Sequence, residues 1–255
     1  MKRRSVGPLR MTHWSEDDRL WDAMAPALSS PARHAIADAE VAAIIKGTEL
    51  ATGAQVLDLG CGAGLHAVAF ASRGFVVTGV DTSRTLLHSA QARASAAGLV
   101  VEFIVDDIRT FIRPARYDLV CSLNSSFAYF DDDTNSRILR NIHECLRNGG
   151  TLLLDTLGEA MATYTGDAGI HDIGGSRYSV RRLFDKARGV IQEEWTVETI
   201  NVAERYLTEQ RIYSAAELIS MVKNAGFAAV RVSSSLDATA PYVASSRRLV
   251  VFARQ

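Results

Sequence analysis

Val56-Leu57-Asp58-Leu59-Gly60-Cys61-Gly62-Ala63-Gly64 is the stretch on which the reading of this 255-residue chain turns. A buried-strand pattern runs into a turn with glycine at every second position, and a helix opens at Leu65. Glycine has no Cβ and tolerates positive φ, so such a turn lets a ligand lie against bare backbone. The helix behind it presents N–H groups that have no partner within the helix. Dinucleotide-binding turns commonly space their glycines as G-x-G-x-x-G. Here the spacing is G-x-G-x-G, and Asp58 stands two residues before the first glycine.

Working outward, residues 74–81 form a second apolar strand that ends in Asp81. An acid about 20 residues beyond a glycine turn is placed to accept both hydroxyls of an adenosine ribose. Residues 100–105 read as a third strand, closed by Asp106-Asp107-Ile108. An acid there can accept from an adenine amino group while the next backbone N–H serves a ring nitrogen. Residues 117–123 form a fourth strand and open into Asn124-Ser125-Ser126-Phe127-Ala128-Tyr129-Phe130; the fifth, 151–155, follows the turn Asn148-Gly149-Gly150. Each signal has a plainer reading. Glycines mark tight turns in many α/β proteins, Asp81 before Thr82-Ser83 can cap a helix, and Asp106 or Asp107 can be solvated loop residues. Three acids at the tips of three successive strands favour the ligand reading, because open parallel sheets bind ligands at their carboxyl ends.

The remaining pattern completes a single α/β unit with an insertion. Residues 11–46 read as helical, with Trp14, Leu20, Trp21, Met24 and Leu28 as apolar contacts and Ser29-Ser30-Pro31 as a restart. Residues 178–184, 189–200 and 203–213 alternate as antiparallel strands, with Lys186-Ala187-Arg188-Gly189 as a turn. Ser214 and Glu217 form a capping box for a helix ending at Ala225-Gly226, and residues 228–233 and 248–252 are the last strands. The expected division is 1–10 a disordered extension, 11–50 a helical cap, 51–155 the ligand-binding core, 156–213 an antiparallel insertion, and 214–255 the closing helix and strands. The fold class is α/β, a doubly wound and mostly parallel seven-stranded sheet.

Composition narrows the function. The formal net charge is −1, with no basic stripe, which argues against a nucleic-acid partner. Mean hydropathy is near zero and no apolar run approaches the roughly 20 residues of a membrane span. Three cysteines without pattern read as reduced thiols in a cytoplasm, and Cys61 reads as packing against a ligand rather than as a nucleophile. The six histidines lack metal-ligand spacing. Asp131-Asp132-Asp133 can be read as a metal cluster, but fits better as the charged start of a helix over 134–147 with Asp133 as its cap; no metal is expected.

These motifs together resemble the class I S-adenosylmethionine (SAM) dependent methyltransferases. The resemblance spans residues 14–254 and rests on VLDLGCGAG (56–64), GFVVTGVDTS (74–83), SFAYFDDD (126–133), LRNGGTLLLD (146–155), RIYSAAEL (211–218) and AGF (225–227). It implies a Rossmann-like sheet whose last strand inserts antiparallel, an ending that a nicotinamide dehydrogenase does not need. The inserted strands are similar to the lid of glycine and amino-sugar N-methyltransferases. The implied cofactor is SAM, leaving as S-adenosylhomocysteine. The resemblance places Asp58 at the methionyl amine and Gly60, Cys61, Gly62 and Gly64 beneath the ligand. It places Asp81 with Thr82 at the ribose, Asp107 and Ile108 at the adenine, and Ser122 and Leu123 under the methionyl end. Arg33, seven residues before Glu40, either clamps the cofactor carboxylate or is an exposed helix arginine.

The implied reaction moves a methyl group to a nitrogen or oxygen of a small metabolite or natural product, with nitrogen favoured. A cyclase or regulatory SAM binder is the alternative. The acceptor is expected among Asn124, Ser125, Ser126 and Tyr129, walled by Phe127, Tyr178, Trp195 and Tyr206. Tyr129 and His171, the latter expected with Asp172 in a loop, are the candidate bases. A small-molecule partner, no nucleic acid, no membrane, and a monomer or homodimer complete the expectations.

Overall fold

A computed structural model describes residues 9–10, 14, 18–199 and 203–255. The first strands and helices are β1 (Leu9–Arg10), α1 (Asp18–Leu28), α2 (Pro31–Thr48), β2 (Gln55–Leu59), α3 (Leu65–Ala71), β3 (Val76–Asp81), α4 (Arg84–Ala96) and β4 (Glu102–Val105). They are followed by β5 (Tyr117–Ser122), α5 (Asp132–Cys145) and β6 (Leu146–Leu157). Four inserted strands come next, β7 (Gly166–Ile173), β8 (Ser176–Asp185), β9 (Val190–Glu198) and β10 (Ala203–Arg211). The chain closes with α6 (Ala215–Asn224), β11 (Ala228–Ser233) and β12 (Arg248–Arg254).

The main sheet runs in the order β11-β12-β6-β5-β2-β3-β4. Strands β2 to β6 pair in parallel, while β12 is antiparallel to both β6 and β11. Parallel strands with helices on both faces are buried on both sides, which is why β2 is apolar almost throughout. Successive side chains along β2 enter opposite cores: Leu57 and Leu59 meet Ile138, Leu139 and Val222 of α5 and α6, while Val56 meets Val41, Phe70 and Ala94 of α2, α3 and α4. Strand order reverses at β2, with β3 on one side and β5 on the other. That reversal opens a crevice at the carboxyl tips, where such sheets take ligands.

The expected seven-stranded sheet is present, with local differences. Asp131, not Asp133, caps α5: its Oδ1 accepts the Thr134 N–H at 2.7 Å. The helix stops at Cys145 instead of 147 because Leu146 already pairs with Tyr117, and the Asn148-Gly149-Gly150 turn interrupts that ladder before Thr151 pairs with Leu119. The Ser214–Glu217 capping box forms as expected.

The inserted strands make a second sheet, β1-β10-β9-β8-β7. Leu20 and Met24 of α1 pack on it against Tyr178, Val197 and Tyr206, and the Tyr178 hydroxyl donates to the Ala23 carbonyl at 2.9 Å. The N-terminal helix and the insertion therefore share one small core. The expectation of a disordered 1–10 falls outside the described residues through residue 8; Leu9 and Arg10 depart from it by pairing with Arg205 and Tyr206. Residues 11–13 and 15–17 of the expected first helix also lie outside the described residues. The expected loop at His171-Asp172 is instead part of β7. Its glycines hid the alternation, and the two-residue turn Gly174-Gly175, both at positive φ, closes a hairpin that gives β7 its ladder on β8.

Candidate functional site

All three glycines of the turn adopt positive φ: 74° at Gly60, 51° at Gly62 and 71° at Gly64. Their surroundings differ. A Cβ on Gly60 would fall 2.6 Å from Ser126 Cβ, and one on Gly64 2.6 Å from Ala90 Cβ, so these two let the turn press against its own protein. A Cβ on Gly62 would meet only Leu86, at 3.8 Å. Gly62 is thus the glycine with open space beside it.

Asp81 is wired into this turn. Its Oδ2 accepts the Gly62 N–H at 2.8 Å and its Oδ1 the Ser83 N–H at 2.9 Å. The cap of α4 is Ser83, whose Oγ accepts the Leu86 N–H, so the capping alternative for Asp81 does not hold. Each carboxylate oxygen keeps further acceptor capacity, which suits a vicinal diol. Asp58, at the tip of β2, is 1 % exposed. Its Oδ2 accepts no hydrogen bond among the described residues. Burial pushes this carboxyl up to about 6; the His66 charge opposes that and the Asp81 charge adds to it. A buried acid oxygen without a donor fits the ammonium of a bound amino acid moiety, so the residues present fit SAM. The Ser122 hydroxyl, at the neighbouring strand tip, is likewise buried and unpartnered among the described residues.

At the third strand tip, Asp107 accepts the Arg109 backbone N–H and, at Oδ2, Arg109 Nε at 2.8 Å and Nη2 at 2.5 Å. Burial works against its charge, but Arg109 outweighs burial and holds the carboxyl below its ordinary value. Ile108 is buried beside it. Cys61 is also buried; desolvation and the Asp58 charge raise its thiol, which suits packing and not nucleophilic attack.

Sequence reading missed the network that shapes the loop after β5. Asn124 and Ser125 both have positive φ, 51° and 65°, a strained state for residues other than glycine. Asp155 holds them there: its Oδ2 accepts the Asn124 N–H at 3.0 Å and its backbone carbonyl accepts the Ser125 N–H at 2.9 Å. Arg248 in turn donates to Asp155 from Nε at 2.6 Å and Nη2 at 2.8 Å. The same Nη2 reaches Glu40 Oε1 at 2.6 Å, and Glu40 Oε2 lies 2.8 Å from His66 Nε2. Burial works against the Glu40 charge, but His66 and Arg248 bring its carboxyl down to about 2. The signal available was Asp155, a fourth acid at a strand end; its arginine lies 93 residues away in the chain.

The other expected residues are distributed unevenly. Arg33 is exposed on the first turn of α2. Its neighbour His34 feels the charge of Arg93, which donates to the Ala63 carbonyl of the glycine turn. The arginine on Glu40 is Arg248. Phe127, expected as a pocket wall, is fully buried in the main core beside Tyr213. Tyr178 and Tyr206 are core residues of the inserted sheet, and Trp195 packs against them. Ser126 donates to the Leu123 carbonyl at 2.9 Å, and Asn124 is exposed. Tyr129 lies against Trp14, ring centroids 3.9 Å apart. Burial and the Glu193 charge push its phenol up, so it keeps its proton at neutral pH. His171 sits exposed on β7, the outer strand of the second sheet. A cavity of about 580 Å³ opens beside Tyr129, with Arg109, Arg137, Glu209 and Gln210 among its walls.

Comparison with known proteins agrees with this geometry. Residues 56–150 match the family model described as a methyltransferase domain. The chain is 31% identical over 209 residues to the cypemycin N-terminal methyltransferase of a Streptomyces species, covering 80% of this chain and 84% of that one. It is 30% identical over 127 residues to the ubiquinone biosynthesis O-methyltransferase of Coxiella burnetii, 49% of this chain and 51% of that protein. The chain spans about half the length of the first curated relatives it matches. In fold it resembles SAM-bound CalS10, an amino pentose methyltransferase from Micromonospora echinaspora involved in calicheamicin biosynthesis, with a TM-score of 0.65 at 20% identity over 92% of this chain and 97% of that one. Likeness to a relative along most of both chains, on a sheet of this topology, has one reading: the chain belongs to the class I S-adenosylmethionine-dependent methyltransferases.

Proposed function

We propose that this protein methylates a nitrogen of a small polar metabolite or natural product, with oxygen as the less favoured target. The observation that carries the cofactor half is the buried Oδ2 of Asp58, unpartnered among the described residues, on the strand that leads into the glycine turn. In this reading Asp58 holds the methionyl ammonium, Asp81 with Thr82 the ribose, Asp107 and Ile108 the adenine, and Arg33 the methionyl carboxylate. The preference for nitrogen draws on the relatives named for N-terminal and amino-sugar substrates. A net charge of −1 favours a small molecule over nucleic acid. No helix among the described residues is long and apolar enough to cross a membrane; three buried free thiols suit a cytoplasmic setting.

Bound SAM supplies a methyl group on a sulfonium centre, ready for in-line displacement. The protein's part is to orient the acceptor, exclude water and hold the loop after β5 in place. Orientation of this kind supplies about 7–11 kcal/mol of a barrier. The test is calorimetry with S-adenosylhomocysteine, followed by incubation with SAM and a panel of amines, guanidines and hydroxylated metabolites. Product heavier by one methyl group, formed together with S-adenosylhomocysteine, supports the reading. Absence of cofactor binding overturns it, and binding without methylated product across the panel overturns the transfer step.

The acid at the β2 tip makes a pH prediction. With its folded value near 6, Asp58 is mostly neutral at pH 5 and charged at pH 7. A ligand ammonium prefers the charged form, so affinity for S-adenosylhomocysteine should rise about tenfold across that interval. The Asp58→Asn variant should bind weakly and without this slope. In ligand-free protein the sign is opposite. A carboxyl raised in the folded state binds more protons than the unfolded chain between about pH 4 and 6, so stability falls as pH rises through that window. Relative to wild type, Asp58→Asn should gain about 2–3 kcal/mol there, read from urea unfolding at both ends. A parallel pair of curves would remove Asp58 from this role.

A further inference from the structure

One face of the inserted sheet carries a mostly buried ion pair, Arg182 with Glu193. On β8, β9 and β10 the residues sharing this face are Tyr178, Val180 and Arg182, then Val197, Trp195 and Glu193, then Tyr206, Thr208 and Gln210. Helix α1 covers the end bearing Tyr178, Val197 and Tyr206. The opposite end meets the loop after β5, where Gln210 Nε2 donates to the Ser125 carbonyl at 3.3 Å. Glu193 lies between the two ends. Its cross-strand neighbour is Thr208, two residues before Gln210, and Trp195 beside it packs on the cluster that includes Trp14, whose ring lies on Tyr129.

Glu193 is held asymmetrically. Arg182 Nε donates to Oε1 at 2.8 Å, and Arg182 Nη2 donates to the same oxygen. Among the described residues Oε2 accepts no hydrogen bond, although the side chain is only 13% exposed. Its charge is felt at the Tyr129 phenol on the acceptor loop, where it adds to burial in raising that group. Burying an ion pair on a sheet face that could have been apolar carries a desolvation cost and is poor evidence of a purely stabilising role.

We propose that Glu193 Oε2 captures the acceptor amine as its ammonium ion, which gives up one proton to solvent before its nitrogen lone pair can take the methyl group, with Arg182 holding the carboxylate over the loop formed by Asn124, Ser125 and Tyr129. The acceptor class is a protonated primary or secondary amine. This rests on the reading of the protein as an N-directed methyltransferase. The probe is sinefungin, a cofactor analogue with an amine-bearing carbon in place of the methylsulfonium, compared by calorimetry with S-adenosylhomocysteine, which has no such amine. Glu193→Gln leaves Arg182 uncompensated and should weaken sinefungin about tenfold while changing S-adenosylhomocysteine less than about twofold. Glu193→Asp should keep part of the sinefungin affinity. Glu194→Gln, which removes the partner of Arg205 on the other face of β9, should change neither. A purely structural role would weaken both ligands together, and either that result or an unchanged ratio overturns the proposal. Failure of wild type to bind S-adenosylhomocysteine would instead overturn the cofactor reading.

Discussion

Arg248→Met is expected to lower folding stability by about 3–5 kcal/mol, seen as a lower urea midpoint with an unchanged slope. The side chain of Arg248 is one-third exposed, which places the effect toward the lower end of that range. Methionine keeps much of the volume but none of the donors. Asp155, 2 % exposed, and Glu40 would then face each other without the cation they share. The effect should extend to the loop. Asn124 and Ser125 hold their left-handed backbone through Asp155, so releasing Asp155 lets that loop relax to cheaper conformations. Turnover with any acceptor found in the amine panel should therefore fall further than affinity for S-adenosylhomocysteine. Lysine at 248 should recover only part of the stability, because a point charge cannot reproduce the fork that serves Asp155 and Glu40 together. A methionine variant within about 1 kcal/mol of wild type would show that the bridge is dispensable.

Asp81→Ala should weaken S-adenosylhomocysteine by about 2–3 kcal/mol, or ~30- to 150-fold by calorimetry. Two losses combine. The ribose loses its acceptor, and the Gly62 N–H loses the oxygen that fixes the open side of the glycine turn. Asp81→Asn separates them. Its side-chain oxygen can still accept from one backbone N–H, so the turn is better preserved while the second diol contact is lost. An alanine variant with wild-type affinity would remove Asp81 from the ribose role and leave it as a brace for the turn.

Much of this site was legible because its parts are local. A strand tip follows from where an apolar run stops, and Asp58, Asp81 and Asp107 stand at such stops. The capping box at Ser214 and Glu217 was equally plain, since both partners lie within one helical turn. Legibility failed where one residue type serves two environments. Phe127 and Tyr178 have the composition of a pocket wall, yet Phe127 on the turn after β5 and Tyr178 on β8 enter two different cores. Glu40 carried no local mark of its partner, which the fold delivers as Arg248 from 208 residues away. His171 was expected in a loop because glycines on either side masked the alternation of an edge strand.

Sequence by itself determined the order of strands and helices in the main sheet, the glycine turn, and the acids that line the carboxyl edge of that sheet. These depend on period-two and helical patterning, on the absence of a side chain at glycine, and on caps, all of which act over a few residues. Only the tertiary structure decided that His66, Glu40, Arg248 and Asp155 form one chain of contacts, and that Gln210 on the inserted sheet reaches the Ser125 carbonyl in the loop after β5. The reason is physical. A charged side chain carries no local mark of its partner, and its pairing is settled when packing removes the competing water.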